Sequence, residues 1–242
     1  MQISVLSSVS EALPGKRLVW IALDVIRATS TIVTYVAESG GHVFVTDSIS
    51  YALEQKKSSP SSVLIGERGG LKIEGFDFDN SPTEIIANLG HINGRDAILT
   101  TTNGTKLLAK LQAITQTVLI GSFLNISSVL KKALQMVDAE KYDGIGIACA
   151  GKEGRLVGDD FYCAGMMVQK LRSCINAEVS LDDVANTALA WAESYGEVLT
   201  VLKKSESGQN ILRYGKEKDI VFCSQLDLYD VVPLAHGNII TK

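Results

Sequence analysis

Runs of aliphatic and β-branched residues recur along this chain, each followed by a polar turn and then by apolar positions at helical spacing. Leu18 to Leu23, "LVWIAL", is apolar throughout, which marks a strand covered on both faces. The turn "DVIRATS" follows, and Ile32, Val33 and Val36 then share one face of a helix expected over Thr31 to Glu38. Thr29 or Ser30 is placed to cap that helix, and Gly40 and Gly41 to end it. "HVFVTD" supplies the next strand.

A second unit reads the same way. Ala97 to Thr100 is a strand, "TTNGT" a turn, Lys106 to Leu111 the start of a helix, and Val118 to Ile120 a further strand ending in "GSFLN". In a third, strand Ile145 to Ala148 precedes a glycine-rich loop and a helix over Phe161 to Leu171, where Ala164 and Gly165 permit close packing. Ser127 to Met136 and Leu181 to Glu193 are also helical in spacing. The tail differs: a glycine-flanked helix or turn, a short strand around Ile220 to Cys223, and an edge segment after Pro233. Strands alternating with helices predict an α/β fold with a mainly parallel sheet covered on both faces. No Pro/Ser-rich linker interrupts the chain, so one domain over residues 1–242, built from repeated strand-turn-helix units, is expected.

Composition narrows the function class. The 242 residues are 46% hydrophobic and 21% charged, the balance of a globular protein. A net charge of -4 argues against nucleic acid, which calls for a basic stripe to displace counterions. No apolar run is long enough for a bilayer, and the N-terminal residues lack the basic start and apolar block of a secretory signal. Four cysteines without CxxC spacing fit a reducing compartment, so a cytoplasmic location is expected. A homodimer is the expectation from frequency alone.

In open α/β sheets, ligands gather beyond the carboxyl ends of strands, which selects the polar turns. "TTNGT", Thr101, Thr102, Asn103, Gly104 and Thr105, suits an oxyanion: it combines amide N–H groups at a helix start with hydroxyl donors, although a helix cap and turn explain the same pentapeptide. Arg27 precedes a helix and could clamp an anionic group bidentately, or pair with a surface carboxylate. Asp24, directly after an apolar strand, must be hydrogen-bonded, paired or bound to metal. Loop carboxylates without a His or Cys cluster point to a hard cation such as Mg²⁺ if a metal is present. Cys149 lies at a strand end but lacks the Cx₅R arrangement of cysteine phosphatases. The sequence holds no GxGxxG after a strand, no GxxxxGK[ST], no GxSxG and no HExxH.

Four stretches in order, "DVIRATSTI" from Asp24, "GERGGLKIEGFDFDNSPTE" from Gly66, "TTNGT" from Thr101 and "DDFYCAG" from Asp159, resemble the 2-phosphosulfolactate phosphatase (ComB) family. The resemblance implies a three-layer α/β/α fold and a Mg²⁺-dependent phosphatase that converts 2-phosphosulfolactate to sulfolactate and phosphate, a reaction of coenzyme M biosynthesis. On chemical grounds Asp24, Arg27 and Asp160 are the expected catalytic groups, and Asp24, Glu67 and Asp160 the expected metal ligands, direct or through water. Arg68, Asn80, Ser81 and Thr101 to Thr105 are the expected contacts to a small anionic phosphorylated substrate. Two positions depart from the family pattern: Asp79 stands where glycine is usual, and Asp159 where glutamate is frequent. Within the loop Gly66 to Glu84, Glu74 and Glu84 are expected to be solvated. The competing reading is a non-catalytic protein that binds an anionic metabolite.

Overall fold

The computed structural model describes residues 1–11, 15–175 and 178–242. Its strands are β1 Gln2–Leu6, β2 Leu18–Leu23, β3 Val43–Val45, β4 Val63–Arg68, β5 Leu71–Lys72, β6 Ala97–Thr100, β7 Thr117–Gly121, β8 Gly144–Cys149, β9 Ser180–Leu181, β10 Leu234–His236 and β11 Ile239–Thr241. Between them lie helices α1 Ala28–Ser39, α2 Ile49–Ser58, α3 Pro82–Ala87, α4 Leu89–Ile92, α5 Gly104–Gln112, α6 Ile126–Glu140, α7 Gly158–Cys174 and α8 Asp183–Ser194. The run α9 Val198–Lys204, α10 Glu206–Arg213 and α11 Glu217–Cys223 follows.

One mixed sheet carries the whole arrangement, in the order β5-β4-β6-β3-β11-β10-β7-β2-β8-β1-β9. β2 shows why helices must cover it twice. Its alternate residues Val19, Ile21 and Leu23 join a core beneath α6, α7 and α8, while Leu18, Trp20 and Ala22 join another beneath α1 and α5. With all six of its residues buried, the strand has no wet face. The chain is thus α/β with helices on both sides of the sheet, as the apolar runs imply.

Two readings of the tail are overturned. Ile220 to Cys223 is helical, inside α11, because Asp219, Ile220 and Cys223 turn one helical face inward. The segment after Pro233 is not at an edge: β10 and β11 form a hairpin in the interior of the sheet, antiparallel to β7 on one side and to β3 on the other. That hairpin splices two parallel blocks, β7-β2-β8-β1-β9 and β4-β6-β3, which therefore run in opposite senses along the sheet. α1 begins earlier than its apolar spacing suggests. Neither Thr29 nor Ser30 caps it; Arg27 holds the cap position without a side-chain bond, and Gly40 closes the far end at φ 69°.

Candidate active site

The turn after β2 projects Asp24 into a cleft of about 160 Å³ that it shares with Arg27, Glu67, Asn80, Thr102 and Asn103. The lining is completed in part by Lys152 and Glu153 after β8 and by Ser207 and Asn210 of α10. Strand ends from both parallel blocks therefore serve one cavity.

Local bonds set each group. One Asp24 oxygen, Oδ1, accepts the Ala28 N–H at 3.3 Å, and the Asp24 N–H donates to Thr29 Oγ1 at 3.1 Å. Oδ2 faces Gly104, where an added Cβ would sit 2.9 Å from that oxygen and 2.9 Å from the Ala28 Cβ, so only glycine lets α5 start this close. Glu67 fastens two loops, accepting the Thr102 N–H at 2.7 Å on Oε1 and the Gly70 N–H at 2.8 Å on Oε2. Asp160 does the same deeper in, accepting Val25 N–H at 2.8 Å and Gly151 N–H at 3.2 Å.

The surroundings of Asp24 and Asp160 disfavour their charged forms. Burial, and then the nearby Glu67 carboxylate, pushes Asp24 up to about 7 against the pull of the Ala28 N–H. Burial also raises Asp159 to about 6, and with the charges of Asp159 and Asp24 it holds Asp160 well above the ordinary carboxylate range. Asp159 Oδ1 is buried with no partner.

Two more oxygens, Asn80 Oδ1 and Thr102 Oγ1, on residues that line the cleft, are buried and without a partner among the described residues. Leaving a buried polar atom unsatisfied costs roughly 1–3 kcal/mol, so such atoms on a cavity wall mark where a ligand belongs. Every donor of this set is oxygen. Among the described residues no three His, Cys, Asp or Glu side chains are grouped to hold a metal ion. The donors therefore suit a hard cation that takes one or two carboxylates and keeps waters, rather than a full protein cage.

At "TTNGT" the sequence builds both a cap and a cradle. Thr101 Oγ1 accepts the Thr105 N–H at 3.3 Å, and Thr105 Oγ1 donates to the Thr101 carbonyl at 3.1 Å. The first-turn N–H groups of Asn103 and Gly104 find no acceptor among the described residues, at the positive end of the α5 dipole.

Comparison with known proteins gives the family. Residues 6–238 match the model of the 2-phosphosulpholactate phosphatase family. A protein of Thermus thermophilus named probable 2-phosphosulfolactate phosphatase is 33% identical over 95% of this chain and 94% of its own length. Those of Clostridium perfringens and Deinococcus radiodurans, with the same name, are 36% and 33% identical over 92% and 88% of this chain, and 87% and 85% of their own lengths. The chain belongs to the 2-phosphosulpholactate phosphatase family. Membership places it among phosphoric monoester hydrolases.

Several family-motif residues nevertheless stand elsewhere than expected. Arg68 does not line the cleft: its guanidinium donates to the carbonyls of Glu67 and Asp47 and to Thr100 Oγ1. Ser81 caps α3, accepting the Glu84 N–H and donating to Asp219 Oδ1 at 2.6 Å. Glu84, expected to be solvated, is half-buried, and its Oε2 accepts the Asp79 N–H at 2.9 Å. The expected carboxylate triad for metal is not grouped as ligands among the described residues: Asp24 and Glu67 line the cleft and Asp160 does not.

Arg27 is the largest surprise. Its Nη1 lies 2.8 Å from Asp79 and 2.7 Å from Asp219, with the pairs almost fully buried, and Lys216 adds a further contact to Asp79 at 2.6 Å. Burial lowers the basicity of Arg27, but the charges of Asp79 and Asp219 outweigh it and raise the net value. Among the described residues, Nε–H alone of its donors is left without a partner, so a bidentate grip on substrate is not on offer. Asp79 is thus inward-facing and holds Arg27. Asp219, which organises Ser81, Thr83 and Arg27, and the cleft residues Lys152, Ser207 and Asn210 were not picked out from sequence. An Asp one position before "IVFC" on a helical face was the available signal for Asp219. Cys149 is fully buried, and burial followed by the Asp160 charge raises its thiol well above the ordinary range, which removes it as a nucleophile.

Proposed function

We propose that the chain hydrolyses the phosphate monoester of a small acid, 2-phosphosulfolactate, with Mg²⁺ bound at the Asp24 end of the cleft. The observation that carries this reading is the uncompensated set of Asp24, Glu67, Asn80 Oδ1 and Thr102 Oγ1 beside a helix N-terminus with free N–H groups. Such a set needs a cation, and the helix start needs an anion. A non-catalytic binding protein has no comparable support, since the family and its named relatives are phosphatases.

Asp24 and Glu67 would hold the metal, with Asn80 and Thr102 oxygens and waters completing its shell. Bound there, Mg²⁺ supplies positive charge against the phosphoryl oxygens as the ester bond breaks. The N–H groups of Asn103 and Gly104 orient those oxygens, and Arg27 Nε–H adds one donor. Asp24 would meet the reacting phosphorus or its attacking water, and Asp160 would position the Asp24 turn through its bond to the Val25 N–H. Trapping a labelled aspartyl-phosphate would separate attack by carboxylate from attack by water.

Phosphate release from 2-phosphosulfolactate, phospholactate and an aryl phosphate, each with Mg²⁺ and with chelator, tests the proposal. Release that requires metal is expected, fastest with phosphosulfolactate. No metal-dependent release from any of the three would sink it.

A further inference from the structure

We infer that Lys152 is a specificity-determining residue: it binds one of the two acid groups, sulfonate and carboxylate, that the substrate carries beside its phosphate ester. The inference rests on the phosphatase reading above and assigns a further lining residue of the same cleft.

The Lys152 backbone is fixed from several directions. Its N–H donates to the Arg155 carbonyl at 2.9 Å and its own carbonyl accepts the Arg155 N–H at 2.9 Å, closing a tight hairpin. Glu153 and Gly154 at the tip hold φ of 52° and 76°. Ser8 and Ser10 hydroxyls both donate to the Gly154 carbonyl, at 3.1 and 2.7 Å, and the neighbouring Gly151 N–H donates to Asp160. Gly151 itself cannot carry a side chain, since a Cβ would lie 2.4 Å from the Arg155 carbonyl oxygen.

The Lys152 side chain is held differently. Its Nζ pairs with Glu206 Oε1 at 2.8 Å, and the two side chains are 33% and 50% exposed. Of the two cations lining the cleft, Arg27 is committed to two buried carboxylates, whereas Lys152 has one solvated partner. An exposed pair of this kind is easily exchanged. Arg155 Nη2 stands 4.0 Å from the same Glu206 oxygen, so Glu206 keeps a cation when Lys152 turns to a ligand.

The rest of the lining explains why an anion needs this residue. Asp24, Glu67 and Glu153 repel it, and a compact ammonium accepts sulfonate or carboxylate without demanding a planar partner. A metal at the Asp24 end answers the phosphate charge; Lys152 answers one of the other two.

The test compares wild type, Lys152→Met and Lys152→Arg with phosphosulfolactate and an aryl phosphate that has no second acid group. In Lys152→Met the ratio of kcat/KM for the acid ester to that for the aryl ester should fall about tenfold to a hundredfold, mainly through KM. Lys152→Arg should recover part of it. An unchanged ratio overturns the inference. Calorimetric titration with sulfolactate reads the same contact without turnover: binding by wild type that Lys152→Met loses is expected, and equal binding, or none by wild type, overturns it. Wild type that binds sulfolactate yet hydrolyses no ester would sink the phosphatase reading and leave the Lys152 contact standing.

Discussion

Asp24 and Arg27 lie three residues apart in one turn, and their surroundings treat charge in opposite ways. Around Arg27 the ledger closes: Arg27 and Lys216 face Asp79 and Asp219, and Asp219 also accepts from Ser81 and Thr83. Around Asp24 it does not, because Glu67, Asp159 and Asp160 add negative charge with no cation bonded to any of them among the described residues. A balanced buried network holds a structure together; an unbalanced one on a cavity wall is completed by what binds there. Charged residues in a motif therefore divide by their partners, not by their proximity in sequence.

The largest effect should come from Asp24→Asn, which removes a charge with little change of shape. Turnover should fall by orders of magnitude, about a hundredfold or more, while thermal unfolding shows a fold at least as stable as wild type. Activity near wild type would take Asp24 out of the site. Arg27→Met sharpens the other side of the contrast. It leaves the buried Asp219 carboxylate without a cation and Asp79 with Lys216 alone, and denaturant unfolding should show a loss of about 3–5 kcal/mol. A change below about 1 kcal/mol would mean the network is not what fastens the loop to α11.

The pH dependence of stability follows from the same imbalance. Asp24 and Asp159 rise from an ordinary 3.8 to about 7 and about 6 on folding, so the folded protein binds more protons than the unfolded one between these values. Their contribution is fully present below pH 3.8 and is lost as pH rises through about 6 to 7. Metal-free protein followed by urea unfolding should therefore lose stability across pH 4 to 7 from these groups, and Asp24→Asn should flatten part of that slope. An unaltered slope in the variant would show that Asp24 ionises as it does in water. The smallest effect belongs to Arg68→Ala, which removes bonds to Glu67, Asp47 and Thr100 outside the cleft. KM should change by less than about threefold, with a stability loss near 1 kcal/mol. A large KM change would return Arg68 to the substrate.

Much of this was legible in the sequence, and the reasons for the rest are physical. Continuous apolar runs such as Leu18–Leu23 identify strands covered on both faces, and the turns that follow them hold Asp24, Thr102 and Asn103 at one cleft, which Glu67 joins from the end of β4. The interior hairpin of β10 and β11 was read as an edge because short antiparallel strands look alike wherever they pair. The partners of Arg27 were hidden because Asp79 and Asp219 are 140 residues apart in the chain, and only the folded α11 brings them together. Lys152 was passed over as one charge in a glycine-rich loop; its meaning depends on a helix that starts at Glu206.

The central claim is that the unbalanced carboxylate pole takes a cation. Melting temperatures of wild type and Asp24→Asn, measured at a pH above 7 with chelator and then with excess Mg²⁺, test it directly. The account predicts that Mg²⁺ raises the melting temperature of wild type and has little effect on Asp24→Asn; equal shifts in the two proteins, or none in wild type, would contradict it.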